Sequence, residues 1–224
     1  MKKILTAVVL SSLIGFSALA DGTNIGIKLS NANMEATGSH TTNSTTSGSL
    51  GSGGAAVSAS DDADFNMASF FVEKQFDAGA LNLALGLDVI PMTAEVDKLD
   101  GGDGFDATVE IGNVITAYIQ PTFNNGGNTS FFVKAGYTSG DVDITEISRQ
   151  ATNAGTASTD GEQSKSLEGV MYGAGIQVNL DAGFVRLEGT FTDFDEISHT
   201  NSNGKIVKAD SELNLISLSL GKSF

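Results

Sequence analysis

The sequence predicts an all-β chain, an eight-stranded antiparallel up-and-down transmembrane β-barrel. Three observations carry that prediction. Apolar side chains alternate with polar or small ones in eight separate segments, the period of a strand with one apolar face. The connections between segments are short and long in strict alternation. In an up-and-down sheet this collects the short turns at one end and the long loops at the other. Aromatic residues, and the lysines of the apolar face, gather beside the short turns.

The first twenty residues, MKKILTAVVLSSLIGFSALA, read as an export address. Lys2 and Lys3 form a positive start, residues 4–16 a short apolar stretch, and Ala18-Leu19-Ala20 a small-residue cleavage site. The apolar stretch is too short for a membrane helix, and no Cys follows the site as it would in a lipoprotein. The expected mature chain is residues 21–224, one domain at this length.

The alternating segments follow in order. The first carries Ile25, Ile27 and Leu29 against Gly26, Lys28 and Ser30. The second sets Phe70, Val72, Lys74 and Phe76 against Phe71, Glu73 and Gln75. The third runs Leu81, Leu83, Leu85, Leu87, Val89, with Asp88 on the other face. The fourth is Ile115 to Phe123, with Thr116, Tyr118, Gln120 and Thr122 between. The fifth sets Phe131, Val133, Ala135 and Tyr137 against Phe132, Lys134 and Gly136. The sixth pairs Val170, Tyr172, Ala174, Ile176 and Val178 with Met171, Gly173, Gly175 and Gln177. The seventh alternates Val185, Leu187 and Phe191 with Arg186, Glu188 and Thr190. The last, Ile216 to Phe224, alternates Leu218 and Leu220 with Ser217 and Ser219. Turns at Asp77-Ala78-Gly79, at 124–128 and at Asp181-Ala182-Gly183 have the residues of tight reversals. The other connections, about 35–62, 96–106, 139–166 and 195–209, are expected to be long loops.

Alternation by itself does not say which face is inside. A soluble barrel turns its apolar face inward, whereas a membrane barrel turns it outward. Three features favour the second. The polar face carries Lys28, Glu73, Asp88, Lys134, Arg186 and Glu188, three cations and three anions able to pair in a narrow lumen. Phe76, Phe123, Phe131, Phe184 and Phe224 stand beside the short turns, as in an interfacial aromatic girdle. Lys74 and Lys222, on the apolar face, each lie two residues before such a Phe, where a lysine reaches the headgroups.

These features together resemble the small eight-stranded bacterial outer-membrane barrels, the OmpA transmembrane-domain, OmpX and Opa-like group. The final strand, with Leu218, Leu220 and a terminal Phe224, resembles the family's sorting signal. The resemblance implies outer-membrane lipid and lipopolysaccharide as surroundings, the barrel-insertion machinery as a partner in biogenesis, and a monomer. No residue follows Phe224, so the peptidoglycan-binding domain of OmpA-type proteins is not expected.

Function is narrowed more by exclusion. With 27 Asp and Glu against 12 Lys and Arg, the chain is no partner for nucleic acid. Without Cys it has neither disulfides nor a thiolate zinc site. Asp97, Asp100, Asp103 and Asp106 recur among glycines but lack an EF-hand's spacing. They are weak candidates for a divalent cation beside the plainer reading of a solvated acidic rim, as are Asp193, Asp195 and Glu196. His40 and His199 belong to expected outer loops, and no nucleophile, base and oxyanion donor converge on either. The chain is therefore read as a non-enzyme with no cofactor and no firm metal site. Its expected role is a structural or surface-exposed envelope protein with a largely plugged lumen. Alternatives are a small porin, favoured by many inward glycines, an outer-surface enzyme, and a soluble periplasmic barrel.

Overall fold

The computed structural model describes residues 22–41, 57–78, 81–91, 94–101, 105–124, 126–148, 163–200 and 206–224. The expected export address and its cleavage site lie outside these residues. Ten strands occur among them: β1 (Thr23–Thr41), β2 (Val57–Ala78), β3 (Leu81–Ile90), β4 (Ala94–Gly101), β5 (Phe105–Asn124), β6 (Thr129–Ser148), β7 (Gln163–Leu180), β8 (Gly183–Phe194), β9 (Ile197–Thr200) and β10 (Ile206–Ser223). All pairings are antiparallel, and β1 pairs with β10 to close the sheet. β4 pairs only with β5, and β9 only with β10. Each prolongs the stave begun by β3 or β8, so the molecule is a closed eight-stave up-and-down barrel.

Closure fixes the dimensions. The ladder from Asn33 passes through Asn214, Phe191, Tyr172, Ala135, Ile119, Leu85 and Lys74 and returns to β1 at Thr23, ten residues lower. With about 3.3 Å per residue and about 4.8 Å between strands, that stagger tilts the strands by about 41° and gives a backbone radius of about 8 Å. Side chains fill an interior of that size.

The outward residues sort by height on this cylinder. From Leu81, Leu180 and Phe224 at the short-turn end to Val170 and Ile115, they are overwhelmingly apolar. This band is about 25 Å tall. Ile216 is 68% exposed and Leu218 50%. Above it the outward positions become Asn31, Asn33, Glu35, Asp64, Asn66, Glu168, Asp193, Glu212 and Asn214.

The inward residues change at the same height, in the opposite sense. Within the band they are charged, hydroxylated, glycine or aromatic. Above it Ala32, Met34, Val142, Leu167, Phe194, Leu213 and Leu215 form an apolar cluster, with Phe65, Met67, Ile111 and Ile197 packed against it. A β-bulge makes Ile111 part of this cluster. Asn113, in the left-handed region at φ 54°, and Val114 together oppose one residue of β6, and Asn113 Nδ2 donates to Asp141 Oδ2 at 3.0 Å. The extra residue switches faces, turning Ile111 inward opposite Val142 and leaving Glu110 outside.

The strands outrun their sequence-based bounds. Segments expected as loops are in large part ladder: β1 and β2 stay paired to His40 and Val57, β5 and β6 to Phe105 and Ser148, and 96–106 is mostly the β4–β5 hairpin. Backbone hydrogen bonds need no apolar side chain, so Ser- and Thr-rich sequence continues a pairing begun below.

Candidate functional site

The lumen inside the band is where chemistry-bearing side chains converge. Strand alternation aims Lys28, Glu73, Asp88, Lys134, Arg186 and Glu188 inward, and all six are buried. They form two groups at different heights. In the lower one, Glu73 receives Arg186 through two bonds, Nη1 at 2.7 Å and Nη2 at 3.0 Å. Glu73 also accepts from Tyr118 Oη at 2.8 Å and Asn24 Nδ2 at 3.1 Å. Arg186 Nε and Nη2 also donate to Gln177 Oε1, at 3.2 and 2.8 Å. In the upper group Glu188 accepts from Lys28 at 3.0 Å and Lys134 at 2.6 Å, and Lys28 also pairs with Asp88. Three cations meet three anions, so the two groups together are neutral. That matters where an unpaired charge costs several kcal/mol.

Aromatic rings join the two groups. Tyr118 bonds Glu73 while Lys134 Nζ lies 4.3 Å from its ring centroid. The Arg186 guanidinium stands 5.3, 5.1 and 5.0 Å from the rings of Phe71, Phe132 and Phe184, within cation–π range.

Four inward glycines give these rings their space. Gly26 is the register partner of Phe71, Gly86 of Tyr118, Gly175 of Phe132 and Gly221 of Phe184. A Cβ at any of the four falls 2.2–2.4 Å from the partner ring. These four glycines therefore do not open the lumen, as the porin argument supposed, but are covered by rings. Above the upper group a cavity of about 30 Å³ is lined in part by Asp88, Thr116, Thr138, Thr190 and Thr192, room for one or two waters. The apolar cluster lies above it.

Of the girdle residues, Phe76, Phe123, Phe131 and Phe224 are outward and about half exposed. Phe184 is a correction: it is 2% exposed inside the barrel. It shares the parity of Arg186 and Glu188 rather than that of Val185 and Leu187, so it faces Gly221 and the guanidinium. At the other edge of the band Tyr137, Tyr172 and Phe191 make an outward aromatic rim that the sequence reading missed. Tyr172 and Phe191 are register partners with centroids 5.0 Å apart. Leu218, Leu220 and Phe224 point outward along β10, and Lys222 Nζ lies 5.1 Å from the Phe224 ring.

The side chains of the acidic repeat lie outside the described residues. Asp103 lies outside them. Asp97 and Asp100 fall on β4 and Asp106 on β5, opposite Asp100, with side chains outside the described set. Glu196 is tied to Lys208 at 2.6 Å, and that carboxylate holds the Lys208 ammonium above the usual lysine range. The His40 and His199 backbones lie on β1 and β9, with their side chains likewise undescribed. No group of three or more metal-ligating side chains occurs among the described residues.

No protein-family model and no curated protein matches the chain. Solved structures do. Neisserial surface protein A is 13% identical, covering 91% of this chain and 98% of its own, with a TM-score of 0.45. The outer membrane protease OmpT of Escherichia coli is 10% identical, covering 90% and 97%, at 0.43. Ail, the attachment invasion locus protein of Yersinia pestis, is 12% identical, covering 88% and 98%, at 0.38. At these scores the likenesses carry no argument about this chain's activity.

Proposed function

We propose that the chain is an integral outer-membrane barrel with a structural or surface-display role and a sealed lumen. One observation carries this reading: a closed belt of outward apolar side chains about 25 Å tall, the height of the lipid-facing band of such barrels. Large apolar side chains around the whole circumference would aggregate in water. A soluble barrel with the same strands would put them inside.

The sealed lumen favours display over conduction. The ion-pair groups, the four ring–glycine pairs and the apolar cluster above them support a lumen filled by side chains. The strands continue past the band, well beyond the height of the headgroups. Export through the segment ending at Ala20, insertion guided by Leu218, Leu220 and Phe224, and a monomer in outer-membrane lipid and lipopolysaccharide complete the reading.

The test is fractionation followed by conductance. Expressed with its first twenty residues, the chain is expected in the outer-membrane fraction, released only by detergent, with Asp21 at its amino terminus. In planar bilayers, inserted protein is expected to give no reproducible current steps. Steady unit steps would favour the porin alternative, and release without detergent the soluble one.

A further inference from the structure

Above the apolar band the barrel wall has an open seam. The β2–β3 ladder stops at Phe70 and Val89, just short of Pro91, which has no N–H to continue it. β2 runs on from Ser69 to Val57 paired with β1 alone. β4, which prolongs the β3 stave, pairs with β5 alone. Two strand edges therefore face the seam with no ladder between them. Gln75 donates its backbone N–H to Gly22, on the β1 side. Backbone groups alternate sides along a strand, so those of Ser58, Ser60, Asp62, Asp64, Asn66 and Ala68 are directed at the seam. Among the described residues no ladder and no other backbone hydrogen bond takes them. An unpaired edge of this kind is a template for a further strand.

The side chains of β2 define the strand that fits. On its outer face Asp62 and Asp64 are exposed. Asp62 also ends a row of carboxylates that runs across β8, β10, β1 and β2. It faces Glu35, Glu35 faces Glu212, and Glu212 faces Asp193. All of them are exposed. Like charges directly opposite on neighbouring strands repel, and cations laid beside them relieve this. On the inner face Phe65 and Met67 are only partly buried against the apolar cluster. A strand added along β2 thus meets carboxylates outside and apolar side chains inside.

We propose that this edge of β2 binds an extended segment of a partner protein by strand addition, and that the segment alternates Lys or Arg with apolar residues. Its amides pair with the backbone groups of β2 that face the seam. Its cations lie outside, beside Asp62, Asp64 and Glu35, and its apolar side chains cover Phe65 and Met67. A second copy of this chain fits less well, because the same edge would set Asp62 and Asp64 against their like. The proposal rests on the surface-display reading above and adds the chemistry of the partner and its seat.

The test is peptide binding by the chain inserted in phosphatidylcholine nanodiscs, read by fluorescence anisotropy with empty discs as the blank. The probes are a peptide of alternating Lys and Val, one of alternating Glu and Val, and the Lys peptide with its backbone amides methylated. The Lys peptide is expected to bind, and the Glu peptide to bind at least about tenfold more weakly. The methylated peptide, which keeps the charge and loses the donors, should not bind. Asn66→Pro removes a donor on the seam side and leaves the β1 ladder intact. It should weaken Lys-peptide binding about fivefold or more with an unchanged melting temperature, and Ser60→Pro serves if that variant does not fold. Glu35→Gln with Glu212→Gln should weaken binding and flatten its salt dependence. Equal binding of the methylated or the Glu peptide, or indifference to both proline variants, would overturn the proposal. So would binding that appears only once residues 42–56 are deleted, which would assign the edge to the chain itself, or a dimer that the peptide dissociates, which would assign it to a second copy. Insertion is checked separately by the heat-dependent gel shift of the folded barrel. A chain that does not insert contradicts the membrane reading, whereas one that inserts and binds no peptide contradicts only this proposal.

Discussion

Glu73 accepts four hydrogen bonds from three side chains on three other strands, and Glu188 holds two lysines. Breaking such a buried arrangement from one side leaves a charge without its partner. Lys134→Ala leaves Glu188 with Lys28 alone, so it should destabilise the folded barrel by about 3–5 kcal/mol, measured by urea titration in detergent. A loss below 1 kcal/mol would show that water reaches Glu188. Gly86→Ala tests the ring–glycine pairs: its Cβ would fall 2.3 Å from Tyr118, and overpacking of this kind costs about 1–3 kcal/mol. In a Tyr118→Ala background the same change should cost almost nothing, a coupling read from the double-mutant cycle. The inward parity of the charges was legible in the sequence because period 2 is rigid. Which carboxylate meets which cation was not, since Arg186 and Glu73 are 113 residues apart and meet only through the barrel's stagger. Phe184 was misread because nearness to a turn was weighed above its parity with Arg186.

Along single strands the alternation keeps its period while its meaning inverts. On β1, Ile27 and Leu29 point out and Lys28 and Ser30 in. Two residues later Asn31 and Asn33 point out and Ala32 and Met34 in. On β10 the same switch separates Leu213 and Leu215, inside, from Ile216, Leu218 and Leu220, outside. The inversion locates the polar rim on each strand. Depth-dependent costs follow from it. Leu218→Arg, at mid-band, should cost about 2–4 kcal/mol of folding free energy, and Asn33→Arg, above the rim, about 0–1. Equal costs at the two sites would contradict the assignment of the band. Deleting Asn113 should remove the bulge and leave an unbroken β5–β6 ladder with Ile111 still inward and Glu110 outward, so the yield of heat-resistant folded protein should hold. The lower halves of the strands were legible because large apolar residues mark them. The upper halves were taken for loops because their outward residues are small or polar. The signal that would have found them is the weaker inward series of Ala32, Met34, Leu213 and Leu215.

For the whole molecule, one ten-residue stagger sets tilt, radius and band height together, and the interior chemistry follows from the small radius. The upper barrel is built like a water-soluble one, polar outside and apolar within. The lower barrel is the reverse, and the same strands run through both. Fold class and the asymmetry of the two ends were readable from sequence, because they rest on local period and turn residues. The filling of the lumen was less so, because a glycine such as Gly86 looks like empty space until register sets Tyr118 against it. If the inversion height is a membrane boundary, the outward residues of β10 must change their surroundings there. The chain has no native Cys, so single cysteines at 212, 214, 216, 217, 218 and 220 can carry spin labels in the bilayer-inserted protein. Labels at 216, 218 and 220 are expected to be relaxed by oxygen dissolved in lipid, while those at 212 and 214 respond to a water-soluble nickel complex and 217 is shielded from both. Nickel-accessible labels at 216, 218 and 220 would contradict it, because that surface would then face water.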